Sequence, residues 1–126
     1  MTTILALDQS TSATKALLFD ASGAVLDKES LPHTQHYPRP GWVEHDAEQI
    51  YANTLHTNRT LIARNAALRD DLLHLSLTNQ RETIVVFERA TGRPLYPAIV
   101  WQCRRGDALR AELIAEGHGD FVQQRT

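Results

Sequence analysis

The eight residues Asp8-Gln9-Ser10-Thr11-Ser12-Ala13-Thr14-Lys15 bring together a carboxylate, a run of small hydroxyl side chains and a cation. Small residues let a main chain turn tightly and present several N–H groups to an anion. The hydroxyls of Thr11, Ser12 and Thr14 add donors for phosphate oxygens, and Lys15 adds a positive charge. Asp8 can hold Mg²⁺ directly or through water, because that ion prefers carboxylate oxygen and keeps much of its hydration. The chemistry suits the phosphates of a nucleotide. The same composition also suits a hairpin loop that is polar because it is exposed. A P-loop is excluded, since the chain lacks its glycine pattern and Gly-Lys-Ser/Thr ending.

A second polar run, Thr78-Asn79-Gln80-Arg81-Glu82-Thr83, lies between apolar segments. Arg81 supplies a rigid donor fork and Glu82 an acceptor pair beside it. Each hydroxyl of a polyol both donates and accepts, so it needs that mixture. A solvated turn has the same composition. Trp101 can lie against the carbon edge of a polyol or belong to the core, and its indole N–H needs a partner in either place. Cys103 is followed by Arg104 and Arg105, which favour a lowered thiol pKa; an inert cysteine at a helix start is the plainer reading. The six histidines are scattered, and His33 and His36 have no convincing third ligand for zinc.

These segments need elements to position them. Ile4–Asp8, Lys15–Asp20 and Ala24–Leu31 read as strands joined closely enough for antiparallel hairpins, with Asp20-Ala21-Ser22-Gly23 as a turn. Pro32–Trp42 reads as irregular. Asp46 and Gln49 form a capping-box pattern that opens a helix running to about Ala66. Leu72–Leu77, Thr83–Glu88 and Leu95–Trp101 read as a fourth, fifth and sixth strand. Arg104–Glu116 reads as a helix closed by Gly117, with a short helix around Asp120–Gln124. Asp70-Asp71 reads as a cap at a strand start. The order predicts an α/β fold: a mixed sheet that starts with antiparallel hairpins and carries helices on its faces.

Composition narrows the function classes. The 126 residues suffice for one modest domain, and a formal charge of −2 gives no reason to expect nucleic acid or an anionic membrane as partner. No apolar run approaches the roughly 20 residues that span a bilayer. The opening residues make a poor signal peptide and a good buried strand. The single cysteine excludes an internal disulfide. A cytoplasmic location is expected.

Four segments together resemble the FGGY carbohydrate kinase family, and its glycerol-phosphorylating members most closely. They are Leu7–Ser12, Tyr37–Asp46 (YPRPGWVEHD), Leu77–Thr83 and Ala98–Arg105 (AIVWQCRR), in the family's order and spacing. The resemblance runs from Ile4 to Thr126. It implies an actin-like, ribonuclease-H-like ATPase fold and transfer of the γ-phosphate of ATP, with Mg²⁺, to a primary hydroxyl of a polyol or sugar. By motif match, Asp8 would sit by Mg²⁺, and Thr11, Ser12 and Ala13 would line the β/γ-phosphate loop. Lys15 would stand where the glycerol-phosphorylating members carry arginine. Arg81 and Glu82 would hydrogen-bond the polyol, and Trp101 would lie against its carbon chain. The full-length parent is expected to be a homo-oligomer.

The chain departs from the family pattern in three ways. Ser10 replaces a glycine, which restricts positive φ. Lys15 replaces arginine and loses a planar fork. Both changes widen the expected substrate from glycerol to polyols and sugars generally. Family members are also much longer, two-domain chains. Residues 1–126 are therefore expected to be the first portion of the family's N-terminal domain, with the second domain absent. The catalytic aspartate base would lie beyond the chain end, leaving no catalytic residue within it, so the fragment alone is expected to be inactive and to expose apolar surface. A non-catalytic module that binds a polyol or a partner chain is the rival reading. A ribonuclease-H-like nuclease ranks last, because Asp8 is its only good carboxylate.

Overall fold

In the computed structural model, which describes residues 2–125, the first strand alternates as its sequence demands. Thr3, Leu5 and Leu7 are buried, while Ile4 and Ala6 on the other face are half-buried. Strands β1 (Thr3–Gln9), β2 (Ala13–Asp20) and β3 (Val25–Pro32) form an antiparallel meander. Two minimal strands follow, β4 (Gln35–His36) and β5 (Glu44–His45), and then helix α1 (Ala47–Arg64). A 3₁₀ turn over Ala66–Asp71, which takes in Asp70 and Asp71, leads into β6 (Leu72–Thr78). This strand lies parallel to β1, giving a mixed sheet of order β3-β2-β1-β6. Strand β7 (Ala98–Ile99) joins β4 and β5 in a small antiparallel sheet, and α2 (Asp107–Ala115) and α3 (Gly119–Gln123) end the chain.

The core sits between the large sheet and α1. Leu5, Leu7, Ala16, Leu18 and Leu61 form it, flanked by Ile62, Leu68 and Leu72. Helix α1 buries few apolar groups for its length, matching the loose periodicity of its sequence. Thr57 is buried with Leu61, and its hydroxyl donates to the carbonyl of Asn53 (2.9 Å). The Asp20 turn closes as expected. Its Oδ1 accepts from the Ser22 hydroxyl (2.6 Å) and from the N–H groups of Ser22 and Ala24, and Gly23 takes φ +86°. The Ser22 hydroxyl, followed by the main-chain donors, holds the Asp20 carboxyl below its usual range. At the end of α2, the N–H of Gly117 reaches Ile114 O and that of His118 reaches Leu113 O. These two bonds make a Schellman cap on a left-handed glycine.

Three expectations need correction. Only half of the capping box forms. Asp46 Oδ1 accepts from the N–H of Glu48 and Gln49, but the Gln49 amide turns to Thr34 instead (2.8 and 3.1 Å). Thr83–Glu88 and Leu95–Trp101 are not strands of a sheet. They make a loose ribbon through the bridges Ile84–Ile99 and Phe87–Pro94, and Ala98–Ile99 is the only part in a named strand. Pro94 and Pro97 lack the N–H a ladder needs, and Val85, Val86 and Phe87 find no covering layer. The predicted helix over 104–116 starts only at Asp107, after a turn in which Arg104 O accepts from the Asp107 N–H.

An ion cluster ties the end of α1 to β3. Arg64 contacts Asp27 through Nε (2.7 Å) and Nη2 (3.0 Å), and Glu29 through Nη1 (2.8 Å); Asn65 also donates to Asp27. The Arg64 fork, then the Asn65 amide, hold the Asp27 carboxyl well below the usual carboxylate range. A carboxyl depressed in the folded state stabilises above its unfolded pKa, about 3.9, and that contribution fades as the pH falls below it. Arg64→Ala should therefore flatten the acid limb of stability, measured as the difference in urea midpoint between pH 7 and pH 3. An equal difference in both proteins would exclude this linkage.

Candidate phosphate and polyol site

Because β1 and β6 are parallel neighbours with Asp8 beside Thr78, the loops that follow them leave the sheet at the same end. Ligands of open α/β sheets bind at the carboxyl ends of the strands. Asp8, Gln9, Ser10 and Thr11 from the first loop and Asn79, Gln80, Arg81 and Glu82 from the second line one cavity there, with Trp101 across from them. Three hydrogen bonds join these parts. Gln80 Nε2 donates to Ser10 O (3.1 Å), Trp101 Nε1 donates to Thr11 Oγ1 (2.9 Å), and the Thr78 hydroxyl lies 3.3 Å from Asp8 Oδ1. Gln80 Oε1 is buried without a partner among the described residues, leaving an acceptor unsatisfied within this group.

Of the residues singled out from sequence, Asp8, Thr11, Arg81, Glu82 and Trp101 line the cavity; Ser12, Ala13 and Lys15 do not. Ser12 is exposed at the loop tip, and Ala13 begins β2. Lys15 lies opposite Asp8 in the hairpin register, with Nζ 3.4 Å from Asp8 Oδ2. Gln9, Ser10, Asn79 and Gln80 complete the lining, although sequence reasoning assigned them no individual role. Trp101 is about half exposed, so its place is at the cavity wall and not in the core.

The local backbone follows from these residues. Ser10 does not take positive φ. Its main-chain N–H and its hydroxyl both donate to Ala13 O (3.0 and 2.9 Å), so the serine side chain closes the tight turn that a glycine would make through backbone freedom. Glu82 is the one non-glycine residue at positive φ (+64°) among the described residues. It is the third residue of a turn in which the Thr83 N–H returns to Gln80 O (3.4 Å), the position that is left-handed in a type II turn and that glycine usually fills. Such conformations concentrate at functional sites.

The turn that follows Trp101 carries a largely buried ion pair. Arg105 Nη2 meets Glu44 Oε1 at 2.6 Å, and the Tyr96 hydroxyl donates to the same oxygen (3.2 Å). The guanidinium also stacks on Trp42, 4.0 Å from the ring centroid. Arg105 Nε donates to Cys103 Sγ (2.9 Å). Burial pushes the Cys103 thiol up, but hydrogen bonds from the Arg105 and Val43 backbones and the Arg105 side chain outweigh it and lower its pKa. Arg104 instead pairs with Asp107 (2.8 Å). This cluster fixes the turn that carries Trp101, and only Arg105 of the two arginines serves the cysteine.

Asp8 fits a hydrated divalent cation. Its carboxylate is partly exposed at the cavity edge, and no group of three or more His, Cys, Asp or Glu residues among the described ones could form an all-protein cage. One carboxylate, with water and phosphate completing the shell, is the usual arrangement for Mg²⁺.

The mixed sheet with its hairpins and parallel β1–β6 pair has the actin-like ATPase fold of carbohydrate kinases. The profile of the FGGY family of carbohydrate kinases, N-terminal domain, matches residues 3–126. The chain belongs to the FGGY family of carbohydrate kinases. It is 50% identical over 123 residues to the glycerol kinase of Bordetella pertussis, covering 98% of this chain and 24% of that protein. It is 43% identical to glycerol kinase 1 of Thermotoga maritima, covering 98% and 25%. The crystal structure of Plasmodium falciparum glycerol kinase with ADP matches at TM-score 0.78 and 36% identity, over 91% of this chain and 23% of that one. The xylulose kinase of Rhodospirillum rubrum matches at TM-score 0.79 and 28% identity, over 90% and 23%. The chain thus spans about a quarter of the length of these relatives. No helix among the described residues is long and apolar enough to cross a membrane.

Proposed function

We propose that this chain carries the first part of a site that transfers the γ-phosphate of ATP to a primary hydroxyl of a polyol or sugar, with glycerol or a related polyol as substrate. The observation that carries the reading is the meeting of the Asp8–Thr11 and Asn79–Glu82 loops at one end of the parallel β1–β6 pair, with Trp101 bonded to Thr11. Phosphoryl transfer depends mainly on positioning and charge neutralisation, which such loops supply. The main-chain N–H groups and the hydroxyls of Thr11 and Ser12, in the turn closed by Ser10 and Ala13, hold phosphate oxygens. Lys15 adds positive charge beside them, and Asp8 orients a hydrated Mg²⁺, which neutralises phosphate charge when bound. Arg81 donates to polyol hydroxyls and Glu82 accepts from them, while the Trp101 ring covers the carbon chain. The complete reaction belongs to a chain of the relatives' length; residues 1–126 supply a partial site and do not turn over alone.

The test is a chimaera that joins residues 1–126 to the remaining three quarters of the Bordetella pertussis glycerol kinase. It should phosphorylate glycerol in a coupled ADP-release assay, and Asp8→Asn should lower its kcat about 100-fold through weakened phosphate neutralisation. A folded chimaera inactive on glycerol, erythritol and xylulose would defeat the reading. A second reading, a non-catalytic binding module, draws on the exposed row Leu73, Leu75 and Leu77, which offers apolar surface to a partner. Calorimetric binding of glycerol by the 126-residue chain, with no activity in the chimaera, would favour it.

A further inference from the structure

His33 lies directly behind the proposed phosphate loop and is nearly buried. Its main-chain N–H donates to Ser12 O (2.9 Å), the carbonyl at the loop tip. Its ring is held from three elements. Nε2 lies 2.8 Å from the Gln9 amide on β1 and 3.5 Å from Thr14 Oγ1 on β2. Nδ1 lies 3.3 Å from Asn53 Nδ2 on α1. From β5, His45 approaches with ring centroids 5.8 Å apart; it is the only titratable group among these ring partners.

Proton accounting sets the state of this ring. Asn53 Nδ2 donates to Pro32 O (3.0 Å), so its nitrogen faces His33, and Nδ1 must accept. Nε2 then carries the proton and needs an acceptor. The Thr54 hydroxyl donates its one proton to Ile50 O (2.9 Å), so it can only accept from Gln9, 3.2 Å away. The His33 ring and the Thr54 hydroxyl are both matched when the Gln9 amide presents its oxygen to His33 Nε2 and its two N–H groups to Thr14 and Thr54. That is the exchange of Oε1 and Nε2 which hydrogen-bond networks must decide. An imidazolium would set a second N–H against the Asn53 donor, and burial opposes that charge more than the Ala13 and Ser10 main chain favours it.

We propose that His33 is a positioning residue for the phosphate loop: its neutral ring, clamped between Gln9 and Asn53, holds Ser10–Ala13 in the shape that receives nucleotide phosphate. This rests on the reading that the loop binds ATP. The clamp touches neither Arg81, Glu82 nor Trp101 and reaches the polyol side only at second hand, through Ser10 and Thr11, so its loss acts chiefly on nucleotide.

Two measurements test it. In the 126-residue chain, ring ¹⁵N spectra at pH 7 should show His33 neutral with the proton on Nε2; an imidazolium or the opposite tautomer overturns the proposal. In the chimaera, His33→Ala should raise KM for ATP about tenfold, the equivalent of one lost hydrogen bond, while KM for glycerol moves less than about twofold. His33→Gln keeps a donor and an acceptor and should recover most of the ATP affinity, whereas His33→Phe, of similar volume, should not. Equal changes in both KM values, or rescue by phenylalanine, would reduce His33 to a packing role. An inactive wild-type chimaera would instead sink the kinase reading, so the two failures are read from different proteins.

Discussion

Replacing Arg105 by methionine is expected to destabilise the fold by about 3–5 kcal/mol, because it leaves a buried carboxylate without its partner. Glu44 is only 6% exposed, and Arg105 gives it a 2.6 Å ion pair. The Tyr96 hydroxyl remains, but a neutral donor at 3.2 Å does not neutralise the charge. The same change removes the cation from the face of Trp42 and the donor to Cys103. The double variant Arg105→Met, Glu44→Gln removes the stranded charge and should recover a large part of the loss. Urea unfolding of the single and double variants measures both. If Arg105→Met lost less than about 1 kcal/mol, the pair would be behaving as a solvent-screened surface contact.

Leu61→Ala should cost about 2–5 kcal/mol, the range for truncating a core leucine. Leu61 is fully buried where α1 meets β1 and β2, and its neighbours Leu5, Leu7, Ala16 and Leu18 are held by sheet hydrogen bonds that resist collapse into the void. Leu61→Met keeps the volume and should cost less than about 1.5 kcal/mol. Thermal or urea midpoints decide it. A small loss in the alanine variant would mean that α1 settles onto the sheet. The helix otherwise buries little apolar surface, so this one residue carries much of its attachment.

These two sites differ in how far the sequence announces them. The alternation through β1 and β2, the Asp20–Gly23 turn and the Asp46 cap are local patterns, each set by residues within a few positions of one another. The hydroxyl loop and the polar run from Thr78 to Thr83 stand out by side-chain type, but those types fit a solvated loop or turn as well, and only the four motifs taken together point to phosphate and polyol. Thr83–Glu88 misled, because β-branched residues favour a strand only where a sheet and a covering layer exist. Pro94 and Pro97 deny it a regular partner.

By itself, the sequence determined the β1–β3 meander, helix α1 and the family, and it offered residue types that could meet phosphate and polyol. Tertiary structure decided which of them meet. The parallel pairing of β1 with β6 brings Asp8 beside Thr78 and Trp101 onto Thr11, contacts across 70 and 90 positions that no local pattern encodes. It also placed His33 behind the loop, buried Glu44 against Arg105, and left Ser12, Ala13 and Lys15 outside the cavity lining. The physical reason is range. Propensity and periodicity act over one turn or one strand, whereas burial and ion pairing are set by whatever distant surface the fold lays against a residue.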